Sequence, residues 1–247
     1  MVFHDQFKNH ILPEQVHILN VAFLVPELRR EFGGCAGNIA YNLNLLGGDG
    51  KPMETVGTDF EPYARWMDEC RVSRDYLRVI EGEYTAQAYI TTDRDDNQIT
   101  AFHPGAMNHS HRNSVSDAPG CTLGLVSPDG RQGMIDHARQ FAEAGIPFIF
   151  DPGQGMPMFD GDDLLAFTQQ ASWLAFNDYE AKLMAERTGL SPAQLTAMVE
   201  AVIVTRGAEG SVIFTPQREY QIPVARTGCL VDRSEEHTSE LQSRQSN

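Results

Sequence analysis

The chain has 247 residues, 41% of them hydrophobic, which suits one large α/β domain or two small ones with a real core. Its net charge of −15 excludes a nucleic-acid partner held by surface charge, because phosphate neutralisation needs a basic stripe. The same charge leaves room for a small anionic ligand, which needs only a local positive site or a metal ion.

No run of about 18 or more apolar residues occurs, so no membrane span is expected. Met1 to His10 is polar and lacks the apolar segment of a signal peptide. Cys35, Cys70, Cys121 and Cys229 are far apart and no pair has metal-ligand spacing, which points to reduced thiols in a cytoplasmic protein.

In chain order, His4 to Gln15 is loop-like and His17 to Val25 strand-like. The stretch that organises the rest follows: Gly33, Gly34 and Gly37 form a loop almost bare of side chains, and Asn38 opens a helical pattern. Ile39, Leu43 and Leu46 fall on one face of that helix, and Gly47-Gly48 ends it. A glycine loop entering a helix exposes backbone N–H groups to a ligand, and the helix dipole favours oxygens there. No Gly-Lys-Ser/Thr follows, and the glycine spacing is wrong for a dinucleotide fingerprint.

Lys51 to Gly57 is a buried-strand candidate and Pro62 to Cys70 a helix. Ala86 to Thr92, a polar turn Asp93 to Asn97 and Gln98 to Phe102 make a hairpin. Beyond residue 121, apolar runs alternate with helical patterns. The runs are Leu123–Val126, Pro147–Phe150, Trp173–Phe176, Ala201–Val204 and Ser211–Phe214. Helices are predicted over Asp129–Ala144, Asp162–Gln170 and Tyr179–Arg187, the last stopping at Gly189, with a further helix capped by Ser191-Pro192. This alternation predicts an α/β fold, a mostly parallel sheet with helices on both faces and ligands at the carboxyl ends of its strands. Asn177-Asp-Tyr-Glu180 has capping-box logic at the start of a helix, and Thr205-Arg-Gly207-x-x-Gly210 opens a turn after a strand.

Gly33-Gly-x-x-x-Asn38-x-Ala40, Gly47-Gly48, Val56-Gly57-x-Asp59, the hairpin, Asn177-x-x-Glu180 and Thr205-x-Gly207 follow one another in an order that resembles the PfkB/ribokinase family of sugar and nucleoside kinases. The likeness spans about Gly33 to Asp232, and the adenosine kinase-like bacterial members are the nearest type. It implies a ribokinase-like fold with a small β lid and transfer of phosphate from ATP to a hydroxymethyl group of a sugar or nucleoside, adenosine-like by preference. It also implies sugar hydroxyls held by Gly34, Cys35 and Asn38, and ATP phosphates facing Thr205 and Gly207. Magnesium (Mg2+) would be ordered through water by Asn177 and Glu180; one carboxylate suffices, since this ion keeps several waters. His103 to His109 would lie on the substrate side, residues 1–30 and 84–105 would form the lid, and two lids could pair in a homodimer. Neither a nucleic acid nor a membrane is an expected partner.

The family's opening strand, with its substrate-gripping Asp, is not found before His4. Its second signature, Asp-Thr-x-Gly-x-Gly-Asp, should follow the strand predicted at Gln221–Val224. Asp232 matches the first position, but Arg233 to Ser243 matches the translation of a sequencing-library adapter. Thr227-Gly228-Cys229 lacks the Gly-Asp that should follow it. The expected organisation is therefore a kinase domain over 1–232, incomplete at both ends, and a foreign, disordered tail over 233–247. The expected catalytic base is absent, so a ligand-binding fragment without turnover is the alternative function. A nicotinamide-dependent oxidoreductase is disfavoured by the lack of Gly-x-Gly-x-x-Gly, and no Ser/His/Asp or Cys/His order suggests a nucleophile.

Overall fold

The computed structural model describes residues 1–11 and 20–225. In chain order these form α1 (Cys35–Leu45), β1 (Met53–Val56), α2 (Glu61–Glu69), β2 (Tyr76–Val79), β3 (Gln87–Thr92), β4 (Gln98–His103), β5 (Gly124–Val126), α3 (Arg131–Ala144), β6 (Phe148–Phe150), α4 (Gly161–Gln170), β7 (Trp173–Asn177), α5 (Asp178–Thr188), α6 (Pro192–Leu195), β8 (Ala201–Thr205), β9 (Ser211–Phe214) and β10 (Glu219–Ile222).

The apolar runs of the second half pair as one six-stranded sheet in the order β10-β9-β8-β7-β6-β5. Strands β5 to β8 are parallel, and β9 and β10 return antiparallel. Alternate residues Phe148, Phe150, Leu174, Phe176, Val202 and Val204 are buried among Met134, Ala138, Leu164, Phe167 and Met184 of the helices. Phe150 stacks on Phe167 with ring centroids 4.3 Å apart. Glycines in the left-handed region end two of these helices, Gly145 after α3 and Gly189 after α5, as the pattern predicts at Gly189.

The first half is built differently. β1 and β2 form a two-stranded parallel pair joined through α2. β3 and β4 form the predicted hairpin, with register from Gln87↔His103 to Thr92↔Gln98. Asp93, nearly fully buried, ties its turn by accepting from the N–H groups of Phe7, Asp95 and Asn97 at 2.8, 2.9 and 2.9 Å. The chain start lies along the hairpin, with Phe3 N–H donating to Thr92 O and Thr92 N–H to Met1 O.

Several expectations are corrected. The helix after the glycines begins at Cys35 rather than Asn38. Its apolar face is not the buried one, since Ile39 is 38%, Leu43 40% and Leu46 85% exposed. The buried side is Gly37 and Ala40, where small residues allow close approach: a side chain on Gly50 would meet Ala40 Cα at 2.6 Å. Of the strand expected from His17 to Val25, residues 17–19 fall outside the described residues, and residues 20–25 form no strand; Phe23 instead packs on Phe3 and Phe7, 4.9 Å from each. The strand expected at Gln221–Val224 is β10, Glu219–Ile222, ending before Pro223, which has no N–H for a ladder. The helix after Ser191 has only four residues. β2 and the 3-10 helix Gly105–Arg112 carry no clear periodic signal and emerge only in the structure.

Candidate active site

Two sets of predicted residues lie on different elements. The first is the glycine loop. Gly34, at φ +97°, is the residue before α1, and that backbone conformation is open to glycine at little cost. Cys35 opens the helix and Asn38 sits in its first turn, its N–H bonded to Gly34 O at 3.0 Å. The Tyr63 hydroxyl donates to Gly33 O at 2.8 Å. The Glu54 carboxyl accepts from the Ala36 N–H at the same helix start; burial pushes this carboxyl up, and the Ala36 bond opposes the shift.

The second set lies at the carboxyl ends of the parallel strands. Asn177 and Thr205 end β7 and β8 and are register partners. Asn177 Oδ1 accepts from the Glu180 N–H at 2.7 Å, and Glu180 Oε2 accepts from the Asn177 N–H at 2.8 Å, a complete capping box. Thr205 leads into the turn through Gly207 to Gly210, closed by Arg206 N–H to Gly210 O at 2.7 Å.

Near Glu54 stands Asp129, just beyond the carboxyl end of β5. Burial pushes its carboxyl up to about 7; the Gly130 N–H opposes this and the neighbouring charge of Glu54 adds to it. Glu54 thus links the start of α1 to the mouth of the main sheet. In the sequence Asp129 reads only as the start of the predicted helix Asp129–Ala144; the burial that raises its carboxyl comes from the fold.

Asp59 closes the Val56-Gly57-x-Asp59 motif and is given no role of its own by the sequence. Its Oδ1 accepts from Thr85 N–H and Thr85 Oγ1, and its Oδ2 from Gln87 Nε2, all at 2.8 Å. Burial pushes the Asp59 carboxyl up, but the bonds from Thr85 outweigh it and hold the group below the usual carboxylate range. Gly57 is locked beside it, where a Cβ would meet Glu83 O at 2.4 Å. The far root of the hairpin arrives at the same place through Ala106 N–H to Tyr84 O at 2.8 Å and Thr55 Oγ1 to Ala106 O at 2.6 Å.

No cluster of three metal-ligating side chains occurs among the described residues. Asn177 Oδ1 and Glu180 Oε2 are engaged in the capping box, so this donor set fits an ion held through its waters rather than a direct protein cage. Cys35, Cys70 and Cys121 carry thiols, and no helix among the described residues is long and apolar enough to cross a membrane. Asp232, Thr227-Gly228-Cys229 and the tail 233–247 lie outside the described residues.

A mostly parallel sheet with a capping box and a glycine turn side by side at its carboxyl edge, a separate glycine loop and a small hairpin define a ribokinase-like α/β protein. The chain belongs to the pfkB family of carbohydrate kinases, whose model matches residues 10–233. It is similar to the nucleoside kinase of Methanocaldococcus jannaschii, 28% identical over 215 residues that make up 86% of this chain and 70% of that one. Among solved structures, Burkholderia thailandensis nucleoside kinase in complex with inosine is 51% identical with a TM-score of 0.83, over 94% of this chain and 74% of that chain. The complex of the same kinase with ADP-inosine is 53% identical with a TM-score of 0.80, over 94% and 73%.

Proposed function

We propose that this chain is built to transfer phosphate from ATP to the hydroxymethyl group of a nucleoside, with adenosine and inosine as first candidates. The observation that carries the reading is the register pairing of Asn177 with Thr205 at the carboxyl edge of the sheet, in a chain 51% identical to a nucleoside kinase solved with inosine. The roles are carried over from the family resemblance, onto the matching residues. Gly34, Cys35 and Asn38 present backbone and amide groups to ribose hydroxyls. Thr205 and Gly207 face the ATP phosphates, and Asn177 and Glu180 order a hydrated magnesium ion, which would offset phosphate charge. Residues 1–30 and 84–105 act as the lid, a second copy can pair through that hairpin, and the protein works in the cytoplasm. Such chemistry is mostly positioning plus charge stabilisation.

The test is calorimetric titration of the full chain with adenosine, inosine, ribose and magnesium–ATP. Nucleoside binding well above ribose binding is expected. Asn38→Ala should weaken nucleoside binding by about 1–3 kcal/mol, the usual cost of leaving a site's hydrogen bond unmade. Equal affinity for ribose, or an indifferent Asn38 variant, would sink the reading.

A second reading has its own observation: Asp232 is followed by Arg233-Ser-Glu-Glu, not by the family's Thr-x-Gly-x-Gly-Asp. A hydroxyl nucleophile needs a proton acceptor, and the phosphoryl group needs aimed donors. On this reading the chain binds nucleoside and ATP without turnover. Product formation at a rate matching a version continued with that motif would overturn it.

A further inference from the structure

The glycine loop has little to hold its shape. Side chains placed on Gly33 or Gly34 would meet nothing within 4 Å, so packing does not fix these two residues. Three observations point to what does. The Tyr63 hydroxyl donates to the Gly33 carbonyl at 2.8 Å. The Tyr63 ring stacks on Phe32, the residue just before, with centroids 4.9 Å apart and planes 11° apart. On the helical side, a Cβ on Gly37 would stand 2.2 Å from the Tyr63 hydroxyl oxygen. One side chain therefore touches the loop before, at and after its bend.

Tyr63 is itself well placed to act as a fixed post. It projects from α2, whose Ala64 and Met67 are buried, and its ring is flanked by Phe60 at 5.3 Å and Trp66 at 5.5 Å. Trp66 in turn meets Tyr41 of α1 at 5.5 Å. We infer that Tyr63 is a positioning residue: its hydroxyl, donated to the Gly33 carbonyl, sets the loop that offers Gly34, Cys35 and Asn38 to the ribose. This rests on the reading of that loop as the ribose site. Burial pushes the phenol up to about 12, with Glu54 and Cys70 adding to the shift, so the group stays a donor throughout the working pH range.

The test uses Tyr63→Phe, which removes one oxygen and keeps the ring stack, together with Gly37→Ala and the double variant. Full chains are compared by inosine titration, magnesium–ATP titration and amide exchange over residues 33–38. Tyr63→Phe should raise the inosine Kd about three- to tenfold, the worth of one hydrogen bond. It should speed exchange at the loop and leave the ATP Kd and the melting temperature nearly unchanged. Gly37→Ala should weaken inosine binding more in the parent than in the Tyr63→Phe background, because the added methyl strikes the hydroxyl; such coupling is what a double-mutant cycle reads. Unchanged inosine affinity in Tyr63→Phe, or strictly additive variants, would overturn the role. A parent chain that binds no inosine would sink the ribose reading and this role with it, whereas a parent that binds beside an indifferent Tyr63→Phe removes this role alone.

Discussion

The two halves of the molecule hold their shape by different means. From β5 to β9 the sheet is fixed by what it buries: Phe148, Phe150, Leu174 and Val202 are wholly enclosed. From α1 to β4 fewer large apolar side chains are enclosed, and Leu45, Leu46, Val79, Tyr89 and Phe102 are exposed. There the geometry comes from polar pins: Asp93 at the hairpin turn, Asp59 at its root, Asn113 on the Glu54 carbonyl at 2.9 Å and Tyr63 on the glycine loop. A buried apolar layer resists change everywhere at once. A pinned region can shift locally when one bond opens, which suits a part that must admit a ligand.

The difference is broken most directly in the core. Phe150→Ala removes a ring that is fully buried and stacked on Phe167. A loss of about 3–5 kcal/mol in unfolding free energy is expected, from lost transfer energy and the cavity left behind. Denaturant unfolding checks it, and a loss under about 1 kcal/mol would show that the sheet half is not the stability centre.

A pin should behave otherwise. Asp59→Ala leaves Thr85 and Gln87 without their acceptor, at roughly 1–3 kcal/mol. The effect should be local, with faster amide exchange over residues 85–87 and little change in the exchange of β6 and β7. If the variant lowered protection equally across both halves, the hairpin root would belong to the same cooperative unit as the sheet and the comparison would fail.

The same contrast explains what the sequence disclosed. The sheet half was legible because its signals are local: Phe148-Ile-Phe150 and Ala201-Val-Ile-Val204 are continuous apolar runs, and Asn177 with Glu180 or Gly189 carry their own capping chemistry. The hairpin was legible for the same reason, since Asp93 to Asn97 is a turn by composition. The buried face of α1 was not. Ile39, Leu43 and Leu46 have the right period, but Gly37 and Ala40 win the contact because they let Tyr63 and the Gly50 backbone come close, and nothing in the helix itself says so. β2 escaped because Val79 is 54% exposed and Leu77 alone of its residues packs against a core cluster. Of the candidate site, Gly34, Cys35, Asn38, Asn177, Glu180, Thr205 and Gly207 came from motif resemblance. Tyr63 and Asp129 act through partners distant in sequence, which no local pattern encodes.

The smallest effect, and the sharpest on the boundary between the halves, concerns Asp129, which stands beside the main sheet and senses Glu54 of the other half. Its carboxyl is raised from 3.8 to about 7, chiefly by burial. The folded chain therefore keeps this proton to a higher pH than the unfolded chain does. Once the unfolded carboxyl has ionised, stability falls with rising pH until the folded group has ionised too, above about pH 7. Between pH 6.5 and 8 the loss should be about 1 kcal/mol, or roughly 2–4 °C in melting temperature for a chain of this size. Asp129→Asn cannot ionise and should flatten that decline. The buried His137, whose own shift is downward from 6.5, gains stability as its unfolded imidazole loses its proton near the lower edge of this window, an opposing rise common to parent and variant. Glu54 is raised as well, so its share of any decline persists in the variant. Melting curves of parent and variant at the two pH values decide the matter: a smaller decline in the variant places the titration at Asp129, and parallel declines would move it to Glu54, on the pinned side of the molecule.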